Sequence, residues 1–518
     1  MNSIQNQKIN IELEVADLNS GTYEVVEVTD NATYYQATSS TNETSTNDLL
    51  LDQGQVVSAF LTDQISLDYS NRNITRDNIE ETLNDLTNDL TAQMTALGVT
   101  EQTAIELVER RVSDFYRGQW TQTLLNDDND DLFAMHFDYT NANATLNAQA
   151  QYNGNIAGMH PDSYRERVRG KNIQEYGFQY DDLNRLTSAT YGEIENGQFA
   201  LHKANVYNMN ASYDINGNIQ TLQRNGATNL NSQNVGTNYD VIDDLSYAYH
   251  NNNRNQLKSV SEGSTYEGPQ ALKGFKDGNV NGDDYIYDAN GNMIEDKNKG
   301  IVIEYNHLNL PTRITFGNGN RLEWTYDAAG IKLTKKKYNE NALTLTKEYA
   351  GGLEYTNGNL EAIYFDEGRA IPIEEGRSYR YEYSIKDHLG NTRVTFADLN
   401  NNGQIAKSEI LQTDHYYPFG MRMEGYGRMV TGTENAYTYN GKELNADFDL
   451  DWLDYGARWY DASIARWSAV DPLAEHFAFE TPYGYVANNP IMLIDPDGRA
   501  YTSGGNVSGY KTADERRA

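Results

Sequence analysis

The strongest constraint on this 518-residue chain is a unit that recurs from about residue 145 onward. It consists of a Tyr-rich strand, a turn of Asp, Asn and Gly, and a second strand carrying a basic or polar residue. The clear copies are FQYDDLNRLTSATY, ASYDINGNIQTLQRNG, DYIYDANGNMIEDKNKG and WTYDAAGIKLTKKKY, and YAYHNNNRNQLKSVSEG and IEYNHLNLPTRITFGNG are looser ones. Asp, Asn and Gly tolerate left-handed backbone, so Asn216-Gly217 and Asn290-Gly291 are read as hairpin turns. A chain of hairpins must bury the face of each unit against its neighbours, which predicts a quasi-one-dimensional antiparallel sheet. The composition agrees: 39 Tyr and 41 Gly against 9 Pro suit short strands joined by tight turns.

Other features bound the function. The formal net charge of −34 opposes binding to nucleic-acid phosphates. With no Cys, disulfides and thiolate metal sites are excluded. No apolar run is long enough for a transmembrane helix, and the polar start Met1-Asn2-Ser3-Ile4-Gln5 has no signal-peptide pattern. We read both ends as boundaries within a longer protein. P-loop, G-x-S-x-G and H-E-x-x-H motifs are absent, and the eight His are scattered.

Before the repeats, GTYEVVEV and QVVSAFLTDQISLDYS read as strands. Ile79, Leu83, Leu86, Leu90, Met94 and Leu97, then Ile105, Val108, Val112 and Phe115, recur at helical spacing around Gly98 and Thr100. They predict a small α-helical hairpin near residues 77–117 that packs on a sheet.

The tyrosine–aspartate units resemble the YD repeats of Rhs proteins, with Tyr213-Asp214, Tyr287-Asp288 and Tyr326-Asp327 as the signature pairs and Gly217, Gly291 and Gly330 at the matching turn. The strings KDHLGNTRVTFAD (386–398), HYYPFGM (415–421), YTYNGKEL (437–444) and LDYGARWYDASIARWSAVDPLAEHFAFETPYGYVANNPIMLIDPDGR (453–499) resemble the Rhs repeat-associated core domain in its Bacteroidetes form. The resemblance covers roughly residues 140–499 and only loosely the segment before it. It implies a mainly β fold: a spiralling antiparallel β-sheet shell with a C-terminal plug. The expected organisation is an N-terminal segment (1–140), the repeat shell (141–375), the core (376–499) and a remnant of a variable effector region (500–518).

Four of the nine prolines fall between Pro472 and Pro496, so this stretch turns repeatedly in fixed shapes. Trp452, Trp459, Trp467, Phe477, Phe479, Tyr483 and Tyr485 supply bulk for a rigid plug around it. Asp471-Pro472 and Asp495-Pro496 are turn-forming pairs on local chemistry alone. The resemblance implies more: that Asp471 and Asp495 form an aspartyl-protease-like pair that cuts the chain after the DPxG motif, at Arg499–Ala500. Two close carboxyls share a proton, so one can activate water while the other protonates the leaving amine. Gly498 is expected to let the strand approach the carboxylates closely. The family often has an apolar residue where this chain has Arg499. Arg466 is a supporting candidate that would orient a carboxylate or steady oxyanion charge, although a surface salt bridge is the favoured reading of it.

The implied function is a polymorphic-toxin shell, exported to the cell surface or beyond and used in interbacterial competition. Its partners would be its own C-terminal effector, which is not in this chain, and a secretion-system component. The alternative is a cell-surface carbohydrate-binding or adhesion protein with an inert core, which requires exposed, co-planar aromatics. A calcium site is a separate expectation. Asp398, Asn400, Asn402, Gln404 (through its carbonyl) and Glu409, with Gly403 at the bend, fit the spacing of a calcium loop, though on strand rather than helical flanks. Asp277-x-Asn279-x-Asn281-Gly282 with Asp288 is a weaker relative.

Overall fold

The computed structural model describes most of residues 132–503, and before them the strands Ile11–Glu12, Thr22–Val28, Thr33–Ala37 and Leu49–Leu51 together with Ala92. The chain divides into two compact units, Met1–Asp128 and Asn129–Ala518. In the first, the four strands pair antiparallel in chain order, and GTYEVVEV is largely the strand Thr22–Val28. The second expected strand and the helical hairpin near residues 77–117 lie outside the described residues, Ala92 apart.

The second unit is mainly antiparallel β. A nine-stranded sheet runs from Phe133–Asp138 to Leu257–Glu262, and a thirteen-stranded sheet runs from Tyr285–Tyr287 to Ile410–Thr413. Almost every strand pairs with its neighbour in sequence, as repeating hairpins require. The larger sheet crosses residue 375 unbroken, pairing Gly368–Ile373 with Ser378–Lys386.

Most of the repeat turns are built the same way. Asp214 accepts the amides of Asn216 (2.8 Å) and Asn218 (2.9 Å) through Oδ1, and the Asn218 side chain (2.9 Å) through Oδ2. Asp288 repeats all three bonds with Asn290 and Asn292. Asp327 and Asp387 repeat the two amide bonds. Only the glycine of each Asn-Gly pair is left-handed, with φ 82° at Gly217 and 84° at Gly291, so the Asp cap shapes the turn rather than a two-residue primed turn. The repeat tyrosine then locks one hairpin to the one before it. Tyr213 donates its hydroxyl to the Leu186 carbonyl (2.5 Å), Tyr249 to Ile219 (2.6 Å), Tyr305 to Met293 (2.7 Å) and Tyr326 to Pro311 (2.8 Å). Tyr is therefore needed twice over, for its ring and for its hydroxyl.

Residues 414–499 pack against both sheets. Trp324 meets Trp459 edge-on at 4.7 Å, Tyr207 lies 6.3 Å from Tyr417, and Tyr287 lies 5.7 Å from Tyr483. Trp452, Trp459, Trp467, Tyr483 and Tyr485 are buried as expected of a plug. Phe479 departs from that expectation, being 72 % exposed. No helix among the described residues is long and apolar enough to cross a membrane.

Candidate active site

The core segment places its charges with short strands and fixed turns. Trp452–Asp454, Trp459–Asp461 and Arg466–Trp467 form one small sheet with Glu443–Asn445. The turn Tyr455–Arg458 closes the first hairpin, with the Tyr455 amide donating to the Arg458 carbonyl at 3.1 Å. Arg458 is itself buried and is followed by the buried aromatics Trp459 and Tyr460, so its guanidinium must find acceptors in the packed interior.

It finds four. Nη2 contacts Asp471 Oδ2 at 2.8 Å and Asp495 Oδ2 at 3.1 Å, Nε donates to the Gly498 carbonyl at 2.7 Å, and Nη1 donates to the Pro482 carbonyl at 3.3 Å. Its plane lies 4.2 Å from the Trp467 ring centre. One nitrogen thus bridges two aspartates that the sequence keeps far apart.

The aspartates are held by backbone. Asp495 Oδ1 accepts the amides of Gly498 (2.8 Å), Arg499 (3.1 Å) and, at 3.3 Å, Asp497. Asp471 Oδ1 accepts the Leu473 amide at 2.7 Å, and the Asp471 amide donates to the Pro482 carbonyl at 3.0 Å. Burial pushes the Asp471 carboxyl up; Arg458 pulls it back and Asp495 adds to the rise. Burial likewise raises Asp497, with the Asp495 charge reinforcing it. A cavity of about 20 Å³ lies against Arg458, Asp471, Asp495, Glu480, Phe477 and Tyr501, room for about one water.

The Arg499–Ala500 bond sits in the loop of a hairpin, since Leu493–Ile494 pairs antiparallel with Thr502–Ser503. Gly498 is left-handed at φ 77°, and a Cβ there would fall 2.9 Å from the Arg458 amide nitrogen. The approach that a side chain would block is therefore to the Tyr455–Arg458 turn, while the Gly498 amide sits on the Asp495 carboxylate. Lys442 closes the other side, donating to the Pro496 carbonyl at 2.6 Å.

Asp471, Asp495, Arg499 and Ala500 are thus brought together, and Arg466 is not. Its guanidinium donates to the Tyr249 hydroxyl at 3.0 Å and the Asn255 carbonyl at 2.8 Å, tying the plug to a repeat turn. Arg458 occupies the place expected of Arg466. Its signal in the sequence was a lone cation in GARWYD, the kind of apolar setting where a charge needs a buried partner.

The Asp398–Glu409 loop closes on its own amides. Glu409 accepts Leu399 (2.8 Å), Asn400 (3.1 Å) and Ala406 (2.7 Å), Asp398 accepts Asn402 (3.0 Å) and Gly403 (2.8 Å), and Asn402 accepts Gln404 (2.8 Å). Among the described residues no group of three or more His, Asp or Glu side chains could hold a metal ion. In the weaker loop, Asp288 is committed to its repeat turn.

No protein-family description matches the chain. It is similar to salivary gland surface protein 1 of Aedes aegypti, 27% identical over 236 residues, which covers 41% of this chain and 6% of that protein. It is similar to toxin subunit YenC1 of Yersinia entomophaga, 26% identical over 205 residues, which covers 37% of this chain and 21% of that one. The chain therefore spans at most about a fifth of these relatives. Among solved structures, TcdB2-TccC3-Cdc42 matches 72% of this chain and 17% of its own at 19% identity, with a TM-score of 0.49. TcdB2-TccC3 without its hypervariable C-terminal region matches 71% of this chain and 17% of its own at 20% identity, also with a TM-score of 0.49.

Proposed function

We propose that this chain is part of an Rhs/YD-repeat toxin shell whose core cuts the chain once, between Arg499 and Ala500, to free an effector that follows. The observation that carries the reading is the meeting of Asp471 and Asp495 on one buried guanidinium, beside a cavity of water size and the candidate bond. Similarity to toxin subunits supports the shell assignment.

In the proposed step, a water oxygen adds to the Arg499 carbonyl carbon while one carboxylate takes a water proton. The other carboxyl gives its proton to the Ala500 nitrogen, the C–N bond breaks, and an Arg499 carboxylate and an Ala500 amine remain. Asp471 and Asp495 are assigned to these two roles jointly, because both contact Arg458 Nη2 and the roles can exchange between them. Arg458 orients both oxygens and opposes charge as it builds on the carbonyl. Export of such a shell, and an effector and a secretion-system component as its partners, belong to the same proposal. The test is intact mass at neutral pH, because Asp-Pro bonds are themselves acid-labile. Loss of residues 500–518 in the parent but not in Asp471→Asn is expected, and full-length mass in both would remove proteolysis from the reading.

One observation favours glycan binding as a second reading. The repeat tyrosines are largely buried, but Tyr379, Tyr381 and Tyr383 stand exposed along one face of the strand Ser378–Lys386. Sugar-dependent fluorescence lost in Tyr381→Ala would support it, and an unresponsive parent would end it. Calcium at the Asp398–Glu409 loop is a separate proposal resting on oxygen spacing. It requires those oxygens to exchange amides for the ion, and a calcium-dependent rise in melting temperature that Glu409→Gln removes is its test.

A further inference from the structure

Just beyond the candidate bond, Tyr501 is bound from the side. Its hydroxyl donates to Glu480 Oε1 at 2.5 Å, and its ring lies 5.3 Å from Phe477 at a 38° tilt. The receiving segment is itself anchored at both ends. The Glu480 amide donates to the Phe477 carbonyl (3.0 Å), the Thr481 amide to the Asn216 carbonyl of a repeat turn (2.8 Å), and the Pro482 carbonyl accepts from Asp471 (3.0 Å). Tyr501, Phe477 and Glu480 line the same cavity as the two aspartates. Nothing in the chemistry of hydrolysis uses the Tyr501 hydroxyl, yet it is held by a carboxyl that burial disfavours as an anion.

We propose that Phe477 and Glu480 form a clamp for Tyr501, and that this clamp positions the leaving side of the Arg499–Ala500 bond and retains the cut segment afterwards. The inference rests on the self-cleavage reading. Asp495 fixes the bond from one side through the Arg499 amide, and Tyr501 fixes it from the other, two residues on. With both sides held, the carbonyl cannot swing away from the carboxyl pair. A misplacement of about 1 Å costs such a reaction roughly 100-fold. After the cut, Tyr501 and the pairing of Thr502–Ser503 with Leu493–Ile494 are what keep the new amine end docked. Phe477, Glu480 and Tyr501 are positioning residues, not catalytic ones.

The test uses the full chain in two backgrounds. In the uncut Asp471→Asn chain, hydrogen exchange of the amides of 500–503 is compared with and without Tyr501→Ala. The clamp predicts exchange about 10-fold faster or more, and unchanged exchange overturns it whether or not the parent cuts. In the cutting parent, Tyr501→Ala and Glu480→Leu are expected to slow single-turnover cleavage about 10-fold or more. Tyr501→Phe, which keeps the ring, should fall between, and Glu480→Gln, which keeps an acceptor, should restore a rate within about threefold of the parent. A rate insensitive to all four overturns the positioning role. Native mass then reads retention: the parent keeps its cut segment bound, and Tyr501→Ala releases it. A parent that never cuts refutes the self-cleavage reading instead, while the exchange measurement still judges the clamp.

Discussion

Two buried charge clusters in the core segment follow opposite electrostatic logic. Near the repeat wall, Lys332 reaches Glu443 and, at 2.6 Å, Asp454; Lys335 and Lys337 each reach Asp447 at 2.7 Å; Lys347 reaches Glu354 at 2.7 Å. Burial opposes the charges on Lys332, Lys347, Glu443 and Asp447, and pairing overrides it. Glu443 is held down to about 2 by Lys332, Lys335 and Lys347, and Lys332 and Lys347 are raised. In the Arg458 cleft, burial prevails: Asp471, Glu480 and Asp497 are all pushed up. One cation there serves two aspartates. The first cluster is built as structure, and the second has the electrostatics that the proposed cleavage needs.

The largest expected effect separates them outright. Asp471→Asn should slow self-cleavage by about 100- to 10,000-fold, the usual reach of a positioned acid or base, as read by intact mass over time. In contrast, Lys332→Met should leave cleavage intact and cost about 3–5 kcal/mol, because Glu443 and Asp454 lose the cation they share. Urea unfolding measures that loss. Replacing Lys332, Glu443 and Asp454 together by apolar residues of similar volume should recover most of it. A Lys332→Met chain that folds normally but no longer cuts would break the distinction.

The pH response should divide along the same line. Asp471 is raised in the folded chain, so its contribution is full below the unfolded value near 3.8 and is lost as pH rises through the folded value. Glu443 is depressed, so its contribution is full above the unfolded value near 4.5 and is lost as pH falls toward about 2. Between pH 8 and 5.5 the paired network is therefore silent, while Asp296, raised by burial to about 7 elsewhere in the core, gains a proton and stability. The stability profile of Asp296→Asn should lose that rise, that of Asp471→Asn should fall less than the parent's as pH climbs above about 3.8, and cleavage should slow as pH rises. A profile unchanged in both variants would contradict the assignment.

How much of this was legible follows from range. The repeat turns could be read because everything they need lies within five residues: an Asp, a Gly and an Asn in order. Asp471 and Asp495 were found through their Asp-Pro motif and the family resemblance. Arg458 was not, since it carries no turn signature of its own and its partners arrive from later segments. The run Lys332–Lys337 read as an ordinary strand with a polar face. Lys332 and Lys335 are in fact largely buried, because their carboxylates, Glu443, Asp447 and Asp454, come more than a hundred residues later. A local pattern fixes which face a side chain takes, and only the tertiary partner decides whether that face is wet.

The smallest effect concerns a third way of satisfying buried polar atoms, with neither charge nor proton in play. Tyr213 and Tyr305 each give one hydroxyl to the carbonyl of a preceding hairpin, in different sheets. Burial raises both phenols, against Arg185 at Tyr213 and the Ser468 hydroxyl at Tyr305, so both stay neutral at any working pH. Tyr213→Phe keeps the ring and removes one neutral bond, which costs about 1 kcal/mol. Tyr305→Phe should cost the same, and the double variant should cost their sum, because the sites share no partner. Both losses should be flat from pH 5.5 to 8, where Asp296 is changing. A pH-dependent loss, or a double variant much worse than the sum, would mean that the hydroxyl ladder is coupled to the charged clusters, and the separation between structure and chemistry in the core would have to be redrawn.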